Sequence, residues 1–217
     1  MEFPKTLIKR NGYIERIKPF MRKNIAKVLT GQRRVGKSFL LYQLMDQLLV
    51  EEPDANIIYI NFEDFAFSHI QTAEDMHAYI MSKFRKEKYN YIFVDEIQEI
   101  VNFERVIRSL LLNENNDIYI TGSNAKMLSG ELATYLSGRY IEFSVYSLSY
   151  LEFLAFHKLE NNNESLYLYS RYGGLPYLIN LPLKDETVNE YLKSVYSTIV
   201  FRDVVSRYNL RNSSFLE

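Results

Sequence analysis

Residues 25–44 read Ile25-Ala26-Lys27-Val28-Leu29-Thr30-Gly31-Gln32-Arg33-Arg34-Val35-Gly36-Lys37-Ser38-Phe39-Leu40-Leu41-Tyr42-Gln43-Leu44. A short β-branched and aliphatic run, Ile25 to Thr30, meets a glycine, and Gly36-Lys37-Ser38 opens an apolar stretch at helical spacing. The pattern is G-x-x-x-x-G-K-S with a strand before it and a helix after it, the context in which it describes a phosphate-binding loop. Glycine turns let backbone N–H groups curl around phosphate oxygens, and the helix starting at Lys37 adds its dipole. On this reading Gly31, Gln32, Arg33, Arg34, Val35, Gly36, Lys37, Ser38 and Phe39 line a nucleotide. The Lys37 ammonium reaches the β and γ phosphates, and the Ser38 hydroxyl holds Mg²⁺. The plain alternative, a coincidental Gly/Lys turn, does not explain the flanking elements. Arg33 and Arg34 are unusual inside such a loop, and the sequence does not separate nucleotide, partner subunit and solvent as their contacts.

The chain has 217 residues, enough for one large domain or a domain with a smaller companion. A formal net charge of -1 argues against a generic polyanion binder, though not against a local basic patch. There is no cysteine, which excludes disulfides and thiolate metal sites. The N-terminus lacks the apolar region of a signal peptide, and no apolar run approaches the length of a membrane span, so a cytoplasmic location without a membrane partner is the expectation. Tyrosine is common at 18 residues, beside 14 phenylalanines and no tryptophan. A biased coding composition explains this, and an aromatic interaction surface is the other reading.

Residues 5–23 form a basic amphipathic lead-in, with Tyr13, Ile14, Ile17 and Phe20 beside Lys9, Arg10, Arg16, Lys18, Arg22 and Lys23, interrupted by Pro19. It reads either as a helix packed on the core with a solvated basic face or as a segment touching DNA or the nucleotide base. Further strands are expected at Ile57–Asn61, Tyr91–Glu96, Asp117–Thr121 and Tyr140–Phe143. Helices are expected over 37–50, 73–84 (capped by Thr72, with His77 a packing residue), 103–112 and 127–136. Strands alternating with helices give an α/β fold with a helix-flanked parallel sheet. From Ser149 the pattern turns all-helical, over 151–157, 166–171 and 188–205. This places a core at 1–148 and a small helical lid with the start of a further region at 149–217.

Asp95-Glu96 closes an aliphatic strand. An Asp there holds Mg²⁺ and an adjacent Glu polarises the attacking water. Since neighbours on an extended strand face opposite ways, Glu96 is expected in the turn just past the strand end. The additional strand between loop and carboxylates points to the ATPase branch of P-loop proteins. Ser123, ending the next strand, either orients the water or belongs to a plain Gly-Ser-Asn turn. Arg139 is either a finger arginine for the γ-phosphate or a structural partner of a carboxylate.

Taken together, Thr30–Ser38, Val94–Gln98, Thr121–Asn124, Leu136–Arg139, Leu148–Phe153 and Tyr172–Pro176 resemble the prokaryotic AAA-like ATPases of the archaeal-type ATPase branch. The resemblance implies a P-loop NTPase three-layer αβα sandwich with a mainly parallel five-stranded sheet in the order 5-1-4-3-2, followed by a helical lid. It also implies ATP and Mg²⁺ as cofactors, with site roles at Gly36, Lys37, Ser38, Asp95, Glu96, Ser123 and Arg139. Family members usually continue into a C-terminal domain of unknown function, so a C-terminally truncated member is expected here. The expected function is Mg-dependent ATP hydrolysis driving a conformational change in an attached or partner module, with self-association or a protein partner open. The alternative is a non-hydrolysing nucleotide-dependent switch or scaffold that regulates a DNA-binding or nuclease partner.

Overall fold

The computed structural model describes residues 7–123, 136 and 138–199. Five strands, β1 (Ala26–Gly31), β2 (Asn56–Asn61), β3 (Asn90–Asp95), β4 (Asn116–Ser123) and β5 (Tyr140–Ser144), form one sheet in the order β2-β3-β4-β1-β5. All four pairings are parallel. Read from the other end, this is the 5-1-4-3-2 order expected above. Of the expected 127–136 helix, residues 127–135 lie outside the described ones.

Strand periodicity sorts the side chains onto two faces. Ala26, Val28, Ile58, Ile60, Ile92, Val94, Ile118 and Ile120 share one core cluster. That cluster also holds Ala73, Met76 and Ile80 of α3 (Ala73–Ser82) and Phe103, Val106, Ile107 and Leu110 of α4 (Phe103–Leu110). The alternate positions, Lys27, Leu29, Tyr91, Phe93, Asp95, Tyr119 and Thr121, face the other way and are buried too. Burial on both sides is why β1 and β3 do not show the apolar/polar alternation of a half-exposed strand. The helix α2 (Lys37–Glu51) buries Leu40, Leu41, Leu44, Met45 and Leu48. Thr72 caps α3 in a reciprocal capping box with Asp75, as its position before the apolar pattern suggested.

The lead-in is stapled to the core. In α1 (Asn11–Ile17) the buried residues are Ile14 and Ile17. Gln43 of α2 accepts the Arg10 N–H at 2.9 Å and donates its amide to the Ile8 carbonyl at 2.9 Å. The Arg10 guanidinium lies 4.6 Å from the Tyr13 ring centre. Arg22 donates to the Tyr91 hydroxyl (2.7 Å) and pairs with Glu52 (3.0 Å). Two of the arginines that made this segment a candidate DNA contact are thus engaged inside the chain.

The edge of the sheet where β1 begins carries a buried charge network. Lys27 and Asp117 are both fully buried and form an ion pair. Asp117 also accepts from the Tyr119 hydroxyl (2.7 Å) and from the Arg22 N–H (2.8 Å). Burial pushes the Lys27 ammonium below its ordinary range, and Asp117 pulls it back. One lysine inside an otherwise apolar strand was the sequence trace of this network.

The contacts divide the chain into two compact units. Among the described residues, one comprises 7–32 together with those of 36–145; the other comprises Arg33–Val35 and 146–199. The second contains α5 (Tyr150–His157), α6 (Asn163–Tyr172) and α7 (Asp185–Ile199). Ser149 and Glu152 form a capping box on α5. The Gly174 carbonyl accepts the Leu148 N–H at 2.7 Å, and a Cβ on Gly174 would stand 2.2 Å from the Leu148 carbonyl oxygen. Only glycine allows that approach.

Removing one member of a buried ion pair strands the other. Lys27→Met is expected to destabilise the protein by about 3–5 kcal/mol, read as a lower chemical-denaturation midpoint with an unchanged slope.

Candidate nucleotide site

Parallel register brings three chain segments to one edge of the sheet. Gly31 at the end of β1 pairs with Ser123 at the end of β4. Asp95 ends β3 opposite Asn61 of β2. In open α/β sheets ligands gather at this carboxyl edge.

The loop leaves β1 at Gly31 and enters α2 through Gly36, whose φ of 95° is left-handed. A side chain there would be strained, which is what the second glycine of the motif supplies. Arg34 is also left-handed at φ 68°. Val35 is buried, while Gln32, Arg34 and Phe39 are exposed and Arg33 is partly exposed. Arg34 lies 5.8 Å from the Tyr191 ring centre, a contact within the second unit. Lys37 folds back along the loop, donating to the Gly31 carbonyl (3.0 Å) and the Gln32 carbonyl (3.1 Å). Its ammonium also stands 3.9 Å from Glu96 Oε1.

Asp95 points to the α2 face and is 1% exposed. Burial pushes its carboxyl above the ordinary range; hydrogen bonds from the Ser38 and Thr121 hydroxyls and the nearby Lys37 pull it down. A Ser hydroxyl beside a buried carboxylate is a hard-oxygen pair that fits Mg²⁺, which takes one or two carboxylates and completes its shell with water and phosphate. Among the described residues there is no cluster of three or more acidic or histidine ligands, so Mg²⁺ would depend on the phosphates as well.

The strand ends at Asp95, and Glu96 turns left-handed at φ 54° and ψ 46°. An extended Glu96 would face away from Asp95; the αL turn is what keeps both carboxylates at the loop. A non-glycine residue in this region costs roughly 1–2 kcal/mol. Here Thr121 of the neighbouring strand holds it, accepting the Glu96 N–H at 3.0 Å while its hydroxyl donates to Asp95 Oδ1. Gln98 then donates its side-chain amide to Glu96 Oε2. Thr121 and Gln98 lie in stretches that carry the family resemblance, but neither had a role of its own legible in the sequence. A threonine inside an apolar strand and an amide two residues past the acidic pair were the available signals.

Arg139 sits elsewhere. Its carbonyl accepts the Ala26 N–H at 3.0 Å, and the next residue, Tyr140, pairs with Ala26, the first residue of β1. Gly31 lies five residues further along that strand, ~17 Å at the usual rise per residue. Arg139 is therefore at the opposite edge from the loop of its own chain. With Arg105, Arg108, Ser109, Leu112 and Leu136 it lines a concavity of about 470 Å³. None of these three guanidinium groups forms an ion pair among the described residues. For Ser123 the backbone position is given above; Asn124 lies outside the described residues.

Residues 23–154 match the family model described as AAA domain. The chain belongs to that family. It is 36% identical over 220 residues to an uncharacterized protein of Haemophilus influenzae, covering 98% of this chain and 54% of that one. It is 31% identical over 204 residues to an uncharacterized protein of Methanocaldococcus jannaschii, covering 87% of this chain and 44% of the other. The chain thus spans about half the length of these curated relatives. Its fold is similar to that of AMPPCP-bound DnaA from Aquifex aeolicus, with a TM-score of 0.53 and 15% identity, covering 98% of this chain and 75% of that one. An AAA-type P-loop ATPase fold supports nucleotide binding and ATP-dependent activity in general. No helix among the described residues is long and apolar enough to cross a membrane.

Thr121→Val keeps the shape and removes the hydroxyl, leaving the Glu96 N–H without its acceptor. The expected loss is about 1–3 kcal/mol, measured by urea denaturation.

Proposed function

We propose that the chain binds Mg·ATP between the Gly31–Phe39 loop and Asp95, hydrolyses it with Glu96 as base, and passes the nucleotide state to an attached or partner module. The observation that carries this reading is the meeting of Lys37 and Glu96, 3.9 Å apart, beside the Ser38–Asp95 pair. Phosphate transfer demands little covalent chemistry from a protein; positioning and charge neutralisation supply most of it. Lys37 would exchange its bonds to the loop carbonyls for β and γ phosphate oxygens. Ser38 and Asp95 would hold Mg²⁺, which supplies further charge neutralisation. Glu96 Oε1 takes a proton from water as the water oxygen bonds to the γ-phosphorus and the bond to the β–γ bridging oxygen breaks. ADP and inorganic phosphate result. Ser123, beside Gly31 in register, is assigned to orienting that water. That the similarly folded DnaA is AMPPCP-bound is consistent with a nucleotide ligand.

The opposite-edge position of Arg139 supports action on the nucleotide of a second copy. Three guanidinium groups around one concavity repel each other, and an incoming triphosphate relieves that repulsion. Arg139 would supply the transition-state charge there.

Lys37→Ala is expected to abolish tight ATP binding. Glu96→Gln should preserve binding while lowering turnover by about 10²–10⁴-fold; hydrolysis at the unsubstituted rate would sink the assignment. Retained nucleotide binding with no turnover in the unsubstituted chain under any condition would instead identify a nucleotide-dependent switch.

Arg139→Ala alone should lower turnover by about 10³-fold. Mixed with Lys37→Ala chains, which retain Arg139, it should recover activity in proportion to assembly. No recovery in co-assembled mixtures would overturn the action between copies.

A further inference from the structure

Glu96 has two carboxylate oxygens, and the structure treats them differently. Oε1 faces Lys37 at 3.9 Å, on the side of the phosphate loop. Oε2 accepts the side-chain amide of Gln98. We propose that Gln98 is a positioning residue for hydrolysis: by holding Oε2, it fixes the plane of the Glu96 carboxylate so that Oε1 is presented to the attacking water. This rests on the reading of Glu96 as the base.

The local chain restrains the turn that carries that amide. Ile97–Glu99 is one turn of 3-10 helix, closed by Glu99 N–H to the Glu96 carbonyl (3.1 Å) and Ile100 N–H to the Ile97 carbonyl (3.1 Å). Ile97 and Ile100 are both anchored in the α3/α4 side of the core. Gln98 itself is 6% exposed. The turn cannot slide without lifting two isoleucines out of that core. At the other end, Thr121 fixes the Glu96 backbone by its N–H. The Glu96 side chain is thus held at its root by Thr121 and at one oxygen by Gln98, which removes rotation about its terminal bond. A base must stand within hydrogen-bond reach of the proton that it takes, and misplacement by about 1 Å costs as much as 10²-fold in rate.

An amide is suited to this task where a charged donor is not. A lysine or arginine at position 98 would stabilise the Glu96 anion and weaken it as a base. A neutral N–H donor orients the carboxylate with a smaller electrostatic penalty. A bystander glutamine would contribute stability or packing but would not separate turnover from binding.

The test uses the full chain and compares Gln98→Met, which keeps length without a donor, with Gln98→Leu, which keeps apolar bulk without a donor. Steady-state turnover is measured beside the dissociation constant of AMPPCP. Both variants are expected to lose about 10–100-fold in kcat, with KM for ATP and AMPPCP affinity within about twofold of the unsubstituted chain. Native AMPPCP affinity also certifies that a variant is folded, and either variant that passes suffices. An unchanged or raised kcat in a folded variant overturns the positioning role while leaving the ATPase reading intact. Equal losses in kcat and AMPPCP affinity overturn it in favour of a structural role. Absence of turnover in the unsubstituted chain overturns both readings together.

Discussion

The period-two alternation of a β-strand is the constraint on which the site depends. Asp95 and Thr121 lie on the α2 face of the sheet because their positions, counted along β3 and β4, are those of Phe93 and Tyr119. That face is where α2 begins, with Lys37 and Ser38 at its first turn. A carboxylate one residue earlier would have pointed into the isoleucine and valine layer shared with α3 and α4. The same rule would have sent Glu96 to the wrong side. The chain escapes it by leaving the strand at Asp95 and taking a left-handed step. Two adjacent carboxylates can serve one loop only because this step breaks the alternation.

That step is locally unfavourable, and its support comes from sequence-distant groups. Thr121 is 25 residues from Glu96 in sequence and lies on the adjacent strand, so its hydroxyl acts only once β3 and β4 have paired. The site is therefore conditional on the sheet. It does not belong to the loop alone, although the loop is what the sequence displays most openly. The Lys37 ammonium and the Glu96 carboxylate meet under the same condition, with both side chains nearly enclosed.

This explains what was legible in the sequence. The Gly31–Ser38 loop and the five strands could be read because they are written in contiguous patterns: glycine spacing, short apolar runs and the alternation of strand and helix; the strand order came from the family resemblance. The placement of Glu96 just past the strand end followed from geometry alone. Thr121 and Gln98 were hidden because their roles are pairwise: a threonine in an apolar strand and a glutamine in a turn acquire meaning from the atoms opposite them. Lys27 and Asp117 were hidden for the same reason, 90 residues apart and joined only by the pairing of β1 with β4. The basic lead-in shows the converse. Its arginines looked like a surface for an outside anion, and Gln43, Tyr91 and Glu52 turn out to engage the segment from within.

The two ends of β1 then carry opposite demands. At its start, Lys27 is paired so completely that it is fully enclosed, and the network with Asp117, Tyr119 and Arg22 holds the lead-in against the sheet. At its end, Lys37 is satisfied by weaker, exchangeable partners, two backbone carbonyls and a carboxylate at 3.9 Å. A buried ion pair with close geometry is difficult to open, whereas an ammonium resting on neutral carbonyls can be drawn away by a stronger anion. The rigid network sits at the edge remote from the loop, and the exchangeable one sits where a triphosphate would arrive. A lysine that must change partners has to be held loosely; the tight pair at the far end of the same strand lets the sheet remain fixed while it does so.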